Sequence, residues 1–387
     1  MPLPPLSLYV HVPWCVRKCP YCDFNSHGVG HGADLPEEAY LAALLEDLDA
    51  ELPLVAGRQV VSVFIGGGTP SLMSSRFYHH LFTALRARLM LAESCEITLE
   101  ANPGTFEQAR FAGYREAGIN RLSLGIQSFQ PAQLAALGRI HSGDDASHAV
   151  RSARAAGFDN LNIDLMHGLP GQDTAGALAD LDTALSLAPS HLSWYQLTLE
   201  PNTEFYSHPP PLPEEEQLWD IQDAGHARLV GAGFQQYEIS AYARPGLRSQ
   251  HNLNYWRFGD YLGIGAGAHG KLSRIDESGS WVIQRRWKSR QPEAYLRRRH
   301  DPRGFVAGQR LLTVDELPLE FSMNALRLVD GVPLPLWQER TGQPLSMLSL
   351  RLAAARKKGL VVEDDQRLQA STQGLLFLNE LLASIEI

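Results

Sequence analysis

SLYVHVPWCVRKCPYCDFNS, residues 7–26, places three thiols within eight residues, directly after a strand-like run. Cys15, Cys19 and Cys22 follow the spacing C-x3-C-x2-C, which offers a metal three sulfur ligands from one tight loop. Thiolates are soft donors that favour zinc or iron–sulfur clusters over hard cations. Structural zinc takes four protein ligands, whereas a cluster held by three cysteines keeps one iron open for a substrate or cofactor. Two other uses compete: zinc completed by His11 or His27, and a redox C-x-x-C at Cys19–Cys22 that leaves Cys15 unexplained. Cys95 reads as a small buried hydrophobe.

Working outward from this loop, β-rich runs alternate with helical ones. Strands are expected at 7–13, 60–66, 95–101, 121–127, 160–166, 191–199 and 234–241. Helices are expected at 36–52, 105–117 (with Thr105 as cap), 143–156, 172–187 and 214–231. Glycines 57, 118, 157 and 233 stand just past four of these helices, where a left-handed residue is wanted. The spacing leaves room for one helix between strands, the mark of a parallel sheet. A dinucleotide fold needs G-x-G-x-x-G after the first strand, and the cysteine loop stands there instead. The expected class is α/β, a partial (β/α) TIM-type barrel of about six parallel units over 1–240. Residues 241–310 read as a connecting segment. Residues 311–387 read as a mainly helical, winged-helix-like domain: helices, a hairpin at GLVVEDDQRLQAS, then a last helix. A plain helical cap is an equal reading of that end, since basic RLAAARKKG adjoins acidic LVVEDDQ.

Bulk composition excludes several classes. Net charge is −9 with pI about 5.9, which gives the molecule no general attraction for nucleic acid or anionic lipid. No run approaches the roughly 18 apolar residues of a membrane span. Four cysteines in 387 residues, three of them clustered, argue against a disulfide framework. MPLPPLSLYV lacks the pattern of a secretory signal, so a reducing, cytoplasmic setting is expected.

In parallel α/β barrels chemistry gathers at the carboxyl ends of the strands. Beyond the cysteine loop those ends carry Gly66-Gly67-Gly68-Thr69-Pro70, Glu100, Gln127, and Asp164 followed by His167-Gly168-Leu169-Pro170. Arg139 lies past a short helix after the fourth strand. The triple glycine is either a tight turn or bare backbone for a ligand to approach. The polar residues are either solvated strand ends or one shared mouth, and their recurrence favours the mouth.

The motifs YVHVPWCVRKCPYCDFNS, IGGGTPS, EANPGT, LGIQSF, LGRIH and NIDLMHGLPGQ resemble the radical S-adenosylmethionine (SAM) superfamily, in its oxygen-independent coproporphyrinogen III oxidase branch. The resemblance runs from about residue 6 to 270 and more loosely to the C-terminus. It implies that Cys15, Cys19 and Cys22 hold a 4Fe–4S cluster whose open iron chelates SAM. Tyr21 would border the adenine, with Tyr9 beside the site. Gly67, Gly68, Thr69 and Glu100 would line the methionine end, Arg139 would fork onto its carboxylate, and Gln127 and Asp164 would bond ribose hydroxyls.

Two departures set the chain apart from the oxidase. The oxidase pattern places a further cysteine two residues after the third, where this chain has Phe24, and its long N-terminal extension is not seen here. HNLNYW at 251–256 resembles instead the H-N-x-x-Y-W motif of haem chaperones in the same superfamily. That resemblance makes His251 the expected axial ligand, with Tyr255 and Trp256 flanking a porphyrin; a packed loop is the plainer reading. In the glycine-rich stretch 259–271, Gly265 and Gly267 suggest a close backbone approach. Residues 285–300 hold seven Arg or Lys against one Glu, a solvated face or a contact for haem propionates or an acidic partner. The expected function is haem binding and delivery to haem-dependent proteins such as respiratory enzymes, with a homodimer as one state. The alternative is the coproporphyrinogen oxidase itself, and no specific nucleic acid is expected.

Overall fold

The computed structural model describes residues 2–30, 32, 34–104 and 108–385. Thr105, the expected helix cap, lies outside them. Twelve strands form one sheet: β1 (Leu6–Val12), β2 (Gln59–Gly67), β3 (Met90–Ala101), β4 (Arg121–Gln127), β5 (Asn160–His167), β6 (His191–Gln196), β7 (Gln235–Glu238), β8 (Ala241–Ala243), β9 (Asp260–Ile264), β10 (His269–Ile275), β11 (Trp281–Lys288) and β12 (Val306–Leu311). β1 to β6 run parallel in sequence order, as six βα units require. β9 joins the free side of β1, also parallel, and β10, β11 and β12 continue antiparallel. At the other end β8 is antiparallel to β6 and β7 is antiparallel to β8, and the sheet does not close among the described residues.

The run 234–241 was expected as one strand and is two. The Glu238 carboxylate accepts from Ser240 N–H at 3.0 Å, which bends the chain. The Ser240 carbonyl then accepts from Trp194 N–H at 2.8 Å, setting β8 against β6. The stretch expected as a connector, 241–310, supplies β8 to β12 apart from the last residue of β12.

Helices Glu37–Val55, Ser75–Arg88, Phe111–Ala117, Gly143–Ala155, Thr174–Ser186 and Glu215–Gly231 cover the outer face. Their starts are fixed locally: Ser74 accepts from Phe77 N–H, Ser142 and Asp145 form a capping box, and Asp173 accepts from Gly176 N–H. Glycines 57, 118, 157 and 233 all have positive φ, as their places past helix ends demand.

The strands alternate, unlike the continuously apolar strands usual in parallel sheets. Outward residues are the oily ones: Leu6, Leu8 and Val10 on β1, Ile97 and Leu99 on β3, Leu122, Leu124 and Ile126 on β4, Leu161, Ile163 and Leu165 on β5. Inward residues are polar and buried: Ser7 and His11, Ser62, Glu96 and Thr98, Arg121 and Ser123, Asn162, His191. They bond across strands, as in Ser7–Ser62 at 2.7 Å and His191–Asn162 at 2.6 Å. The interior of the curved sheet is therefore a polar chamber.

Beyond β12, helices Leu317–Ala325, Pro335–Thr341, Leu345–Arg351 and Ala353–Lys357 lead into a small hairpin. Val361 bridges Ala370, and Arg367–Leu368 pairs with Val332–Pro333, before the closing helices Thr372–Leu376 and Leu378–Ala383. This order matches the winged-helix-like expectation. Phe321, Trp337, Leu348, Leu352 and Leu381 form its core, joined by Tyr237, Leu253 and Phe258 from the sheet side. Among the described residues no helix is long and apolar enough to cross a membrane.

Candidate functional site

The loop after β1 carries the three cysteines, all free thiols; Cys15 is buried, and Cys19 and Cys22 are half-buried. Main-chain bonds hold the loop: Val29 N–H to Cys15 O at 3.0 Å and Cys22 N–H to Cys19 O at 3.1 Å. Cys22 Sγ lies 3.6 Å from Ser26 Oγ, and Arg139 Nη1 donates to Cys19 Sγ at 3.6 Å. Burial pushes the Cys15 thiol up to about 11, with Cys22 and Cys19 adding to the rise. Three thiols crowded into one loop fit a soft cationic centre. Among the described residues no three His, Cys, Asp or Glu side chains already converge as a cation cage. Of the two histidines weighed as a fourth zinc ligand, His11 bonds Tyr9 Oη and Asn25 O, both at 2.9 Å, and His27 lies beside the Arg290 main chain.

Beside the loop lies the glycine run ending β2. Gly68 N–H donates to Val12 O at 2.7 Å and Thr69 N–H to Trp14 O at 2.6 Å. A Cβ at Gly68 would stand 2.4 Å from Trp14 O, and one at Gly66 would stand 2.9 Å from Glu100 Oε2. Gly67 has φ +118° and donates its N–H to Glu100 Oε2 at 3.2 Å. Bare backbone here is a steric requirement, since Trp14, His11 and Glu100 occupy the space where side chains would stand.

The other expected SAM residues fall on the same inner face, with their bonds partly committed. Asp164 accepts from Ser123 at 3.0 Å and Asn162 at 2.8 Å. Gln127, at φ 72°, accepts from Tyr195 Oη at 2.8 Å. Arg139 Nη2 donates to Asn102 Oδ1 at 2.7 Å and Gly125 O at 2.5 Å, so much of its fork is spent on the protein. Thr69 Oγ1 accepts from Asn102 Nδ2 at 3.0 Å. Tyr21 packs toward Phe205, in a small cluster with Leu137 and Met166. Burial, with Asp164 nearby, pushes the Glu100 carboxyl up to about 8.

A cavity of about 470 Å³ opens above Gly67 and Glu100, lined also by Tyr9, Phe64, His251, Tyr255, Tyr261, His269 and Arg290. His251 and Tyr255 share it because they lie on helix Gln250–Trp256, four residues apart and therefore on one face. Trp256 is turned about 100° away, the helical step of 3.6 residues per turn. Its ring lies under the Arg327 guanidinium at 4.5 Å, against the C-terminal core, so it does not flank this cavity. Burial, and secondarily Arg121, lowers His251 to about 3, which leaves it a neutral imidazole.

Sequence reading missed Phe64, Tyr261, His269 and Asn25. Asn25 Nδ2 donates to Ala266 O at 3.0 Å and Arg290 O at 2.9 Å, tying the cysteine loop to the glycine-rich turn. Gly265 and Gly267 make the close approach expected of them: added Cβ atoms would stand 2.4 Å from His11 O and 2.2 Å from Asn25 Nδ2.

Comparison with known proteins agrees with this geometry. Residues 9–183 match the radical SAM superfamily and residues 312–377 match the HemN C-terminal domain. The chain is 49% identical over 380 residues to heme chaperone HemW of Escherichia coli, covering 98% of each chain. It is 35% identical over 390 residues to the mitochondrial radical S-adenosyl methionine domain-containing protein 1 of Bos taurus, covering 98% of this chain and 87% of that one. In structure it resembles coproporphyrinogen III oxidase (HemN) from Escherichia coli, with TM-score 0.82 over 100% of this chain and 91% of the other. At 24% identity that likeness shows a common fold. Near-full-length identity with the curated relatives carries more: this chain belongs to the HemW family of the radical SAM superfamily.

Proposed function

We propose that this chain is a haem chaperone, which binds haem and delivers it to haem-dependent proteins from a 4Fe–4S and SAM scaffold. The observation that carries the reading is the joint presentation of His251 and Tyr255 to a cavity walled by Tyr9, Phe64 and Tyr261. Its size falls in the range of small-molecule and cofactor sites. A neutral imidazole can donate to haem iron, and aromatic walls suit a flat macrocycle.

Cys15, Cys19 and Cys22 would hold the cluster, and Gly67, Gly68, Thr69 and Glu100 the methionine end of SAM. When bound, this pair supplies an open iron and one-electron chemistry at a sulfonium. The chain's own residues set the geometry around it. Gly67 N–H donates to the Glu100 carboxyl at the cavity floor, Arg139 braces Cys19, and Asn25 fixes the loop against the 265–267 turn. The oxidase alternative is disfavoured by Phe24, exposed at the cavity where the oxidase pattern has a cysteine. Acceptors are haem-dependent proteins, respiratory enzymes among them, in the cytoplasm, and sizing the loaded protein tests for a homodimeric carrier.

The test is anaerobic reconstitution followed by haem titration, with parallel assays for 5′-deoxyadenosine and for coproporphyrinogen decarboxylation. Retained haem with a shifted Soret band, weakened by His251→Ala, is the expected result. Decarboxylation without haem retention would replace the chaperone reading with the oxidase.

A further inference from the structure

The seven cations of 285–300 are not a uniform basic face. Arg285 pairs with Glu320, Arg286 with Glu51 at 3.0 Å, Lys288 with Asp47 at 2.5 Å and Glu51 at 2.7 Å. Arg298 pairs with Asp301 at 3.7 Å and Arg299 with Glu46. Among the described residues that leaves the side chains of Arg290 and Arg297 without such a partner, and of these two Arg290 lines the His251 cavity.

Among the described residues the cavity has no other lasting charge. Its remaining ionisable groups are tyrosines, histidines and Glu100. His11, His251 and His269 are all shifted below the usual histidine range by burial, and Glu100 is shifted up to about 8, so each is mainly neutral at pH 7. The guanidinium of Arg290 is exposed, while its root is pinned by Asn25 Nδ2 on Arg290 O at 2.9 Å. A free, planar five-donor cation at the rim of an aromatic-walled chamber is suited to a carboxylate.

We propose that Arg290 recognises a carboxylate on the ligand of this cavity, orienting a flat tetrapyrrole with its acidic edge toward Arg290 and its face toward His251. The inference rests on the haem reading above and adds which edge of the ligand is held, and by which residue. It makes the free acid, not the macrocycle alone, the preferred cargo.

The experiment titrates haemin and haemin dimethyl ester into the cluster-loaded full-length protein, in wild type, Arg290→Gln and Arg290→Lys. A charge-assisted hydrogen bond at a partly exposed site corresponds to roughly a tenfold preference. Wild type is expected to bind haemin about tenfold more tightly than its ester. R290Q should bind the two equally, at the ester's affinity, and R290K should restore part of the preference. Equal binding by wild type, or undiminished preference in R290Q, overturns the role of Arg290 and leaves the haem reading standing. No Soret shift with either compound overturns both.

Discussion

The ring of Phe64 lies against that of His251, with centroids 4.8 Å apart and planes 27° from parallel. Phe64 sits on β2 and His251 on a helix almost two hundred residues later, so the contact joins the strand that ends in the glycine run to the HNLNYW helix. Glu96 fixes the other side, accepting from Gln250 N–H at 2.9 Å and His251 N–H at 3.3 Å.

Replacing Phe64 with Ala should remove the wall that holds the imidazole. Because the ring is half-buried, the stability cost should be about 2 kcal/mol, below the full cost of truncating a core phenylalanine. Haem affinity should fall while cluster content stays unchanged. Urea unfolding and a Soret titration on one preparation separate the two effects, and loss of the cluster would contradict this assignment.

Glu100 should give the apoprotein a characteristic pH dependence. Its carboxyl is raised from an ordinary 4.5 to about 8 in the fold, so between those values the folded state holds a proton the unfolded chain has lost. Stability from this group therefore declines as pH rises from about 4.5 and levels off above about 8, a change of a few kcal/mol. Glu100→Gln should flatten that part of the curve. Melting temperatures of both proteins from pH 5 to 9 provide the check, and parallel curves would place the carboxyl in a wetter setting.

Two glycine substitutions should differ sharply. Gly57 has φ +74° and open space around it, so Gly57→Ala should cost about 1 kcal/mol through backbone strain alone. In Gly68→Ala the new methyl meets the Trp14 carbonyl, which is main chain and cannot swing aside. That variant should lose several-fold more stability and shed its cluster; iron content against melting temperature reads both.

The buried group Asp47, Glu51 and Lys288 should respond asymmetrically. Asp47 accepts from Lys288 Nζ at 2.5 Å, Tyr295 Oη at 2.8 Å and Gly265 N–H at 3.1 Å, so it also anchors the glycine-rich turn. Lys288→Met leaves Asp47 without a cation while Glu51 keeps Arg286, and should cost about 3 kcal/mol. Adding Asp47→Asn should recover part of that loss. Denaturation of the single and double variants decides it, and strictly additive losses would show that the charges are not coupled.

Much of the frame was legible in the chain. The βα rhythm, the helix-ending glycines and the cysteine loop are local signals, and each stands near its expected place. The chamber was less legible because its walls meet through long-range pairing. Tyr261 lines it because β9 lies beside β1, with Tyr261 opposite Ser7, a neighbour no local pattern reveals. Trp256 was grouped with His251 and Tyr255 because HNLNYW was not read as a helix; a step of 3.6 residues separates it from them. One neglected signal was local: the alternation of polar and apolar residues in VHV, ITLE and LNID marks a wet inner face. It would have singled out His11, Thr98 and Asn162.

That alternation has an evolutionary consequence. The greasy contacts that keep the shell upright lie between strands and helices, while the hollow inside is furnished with hydroxyls, amides and imidazoles. Swapping furniture inside need not loosen the masonry outside. A common architecture can therefore be refitted for new cargo by exchanging a few inward side chains.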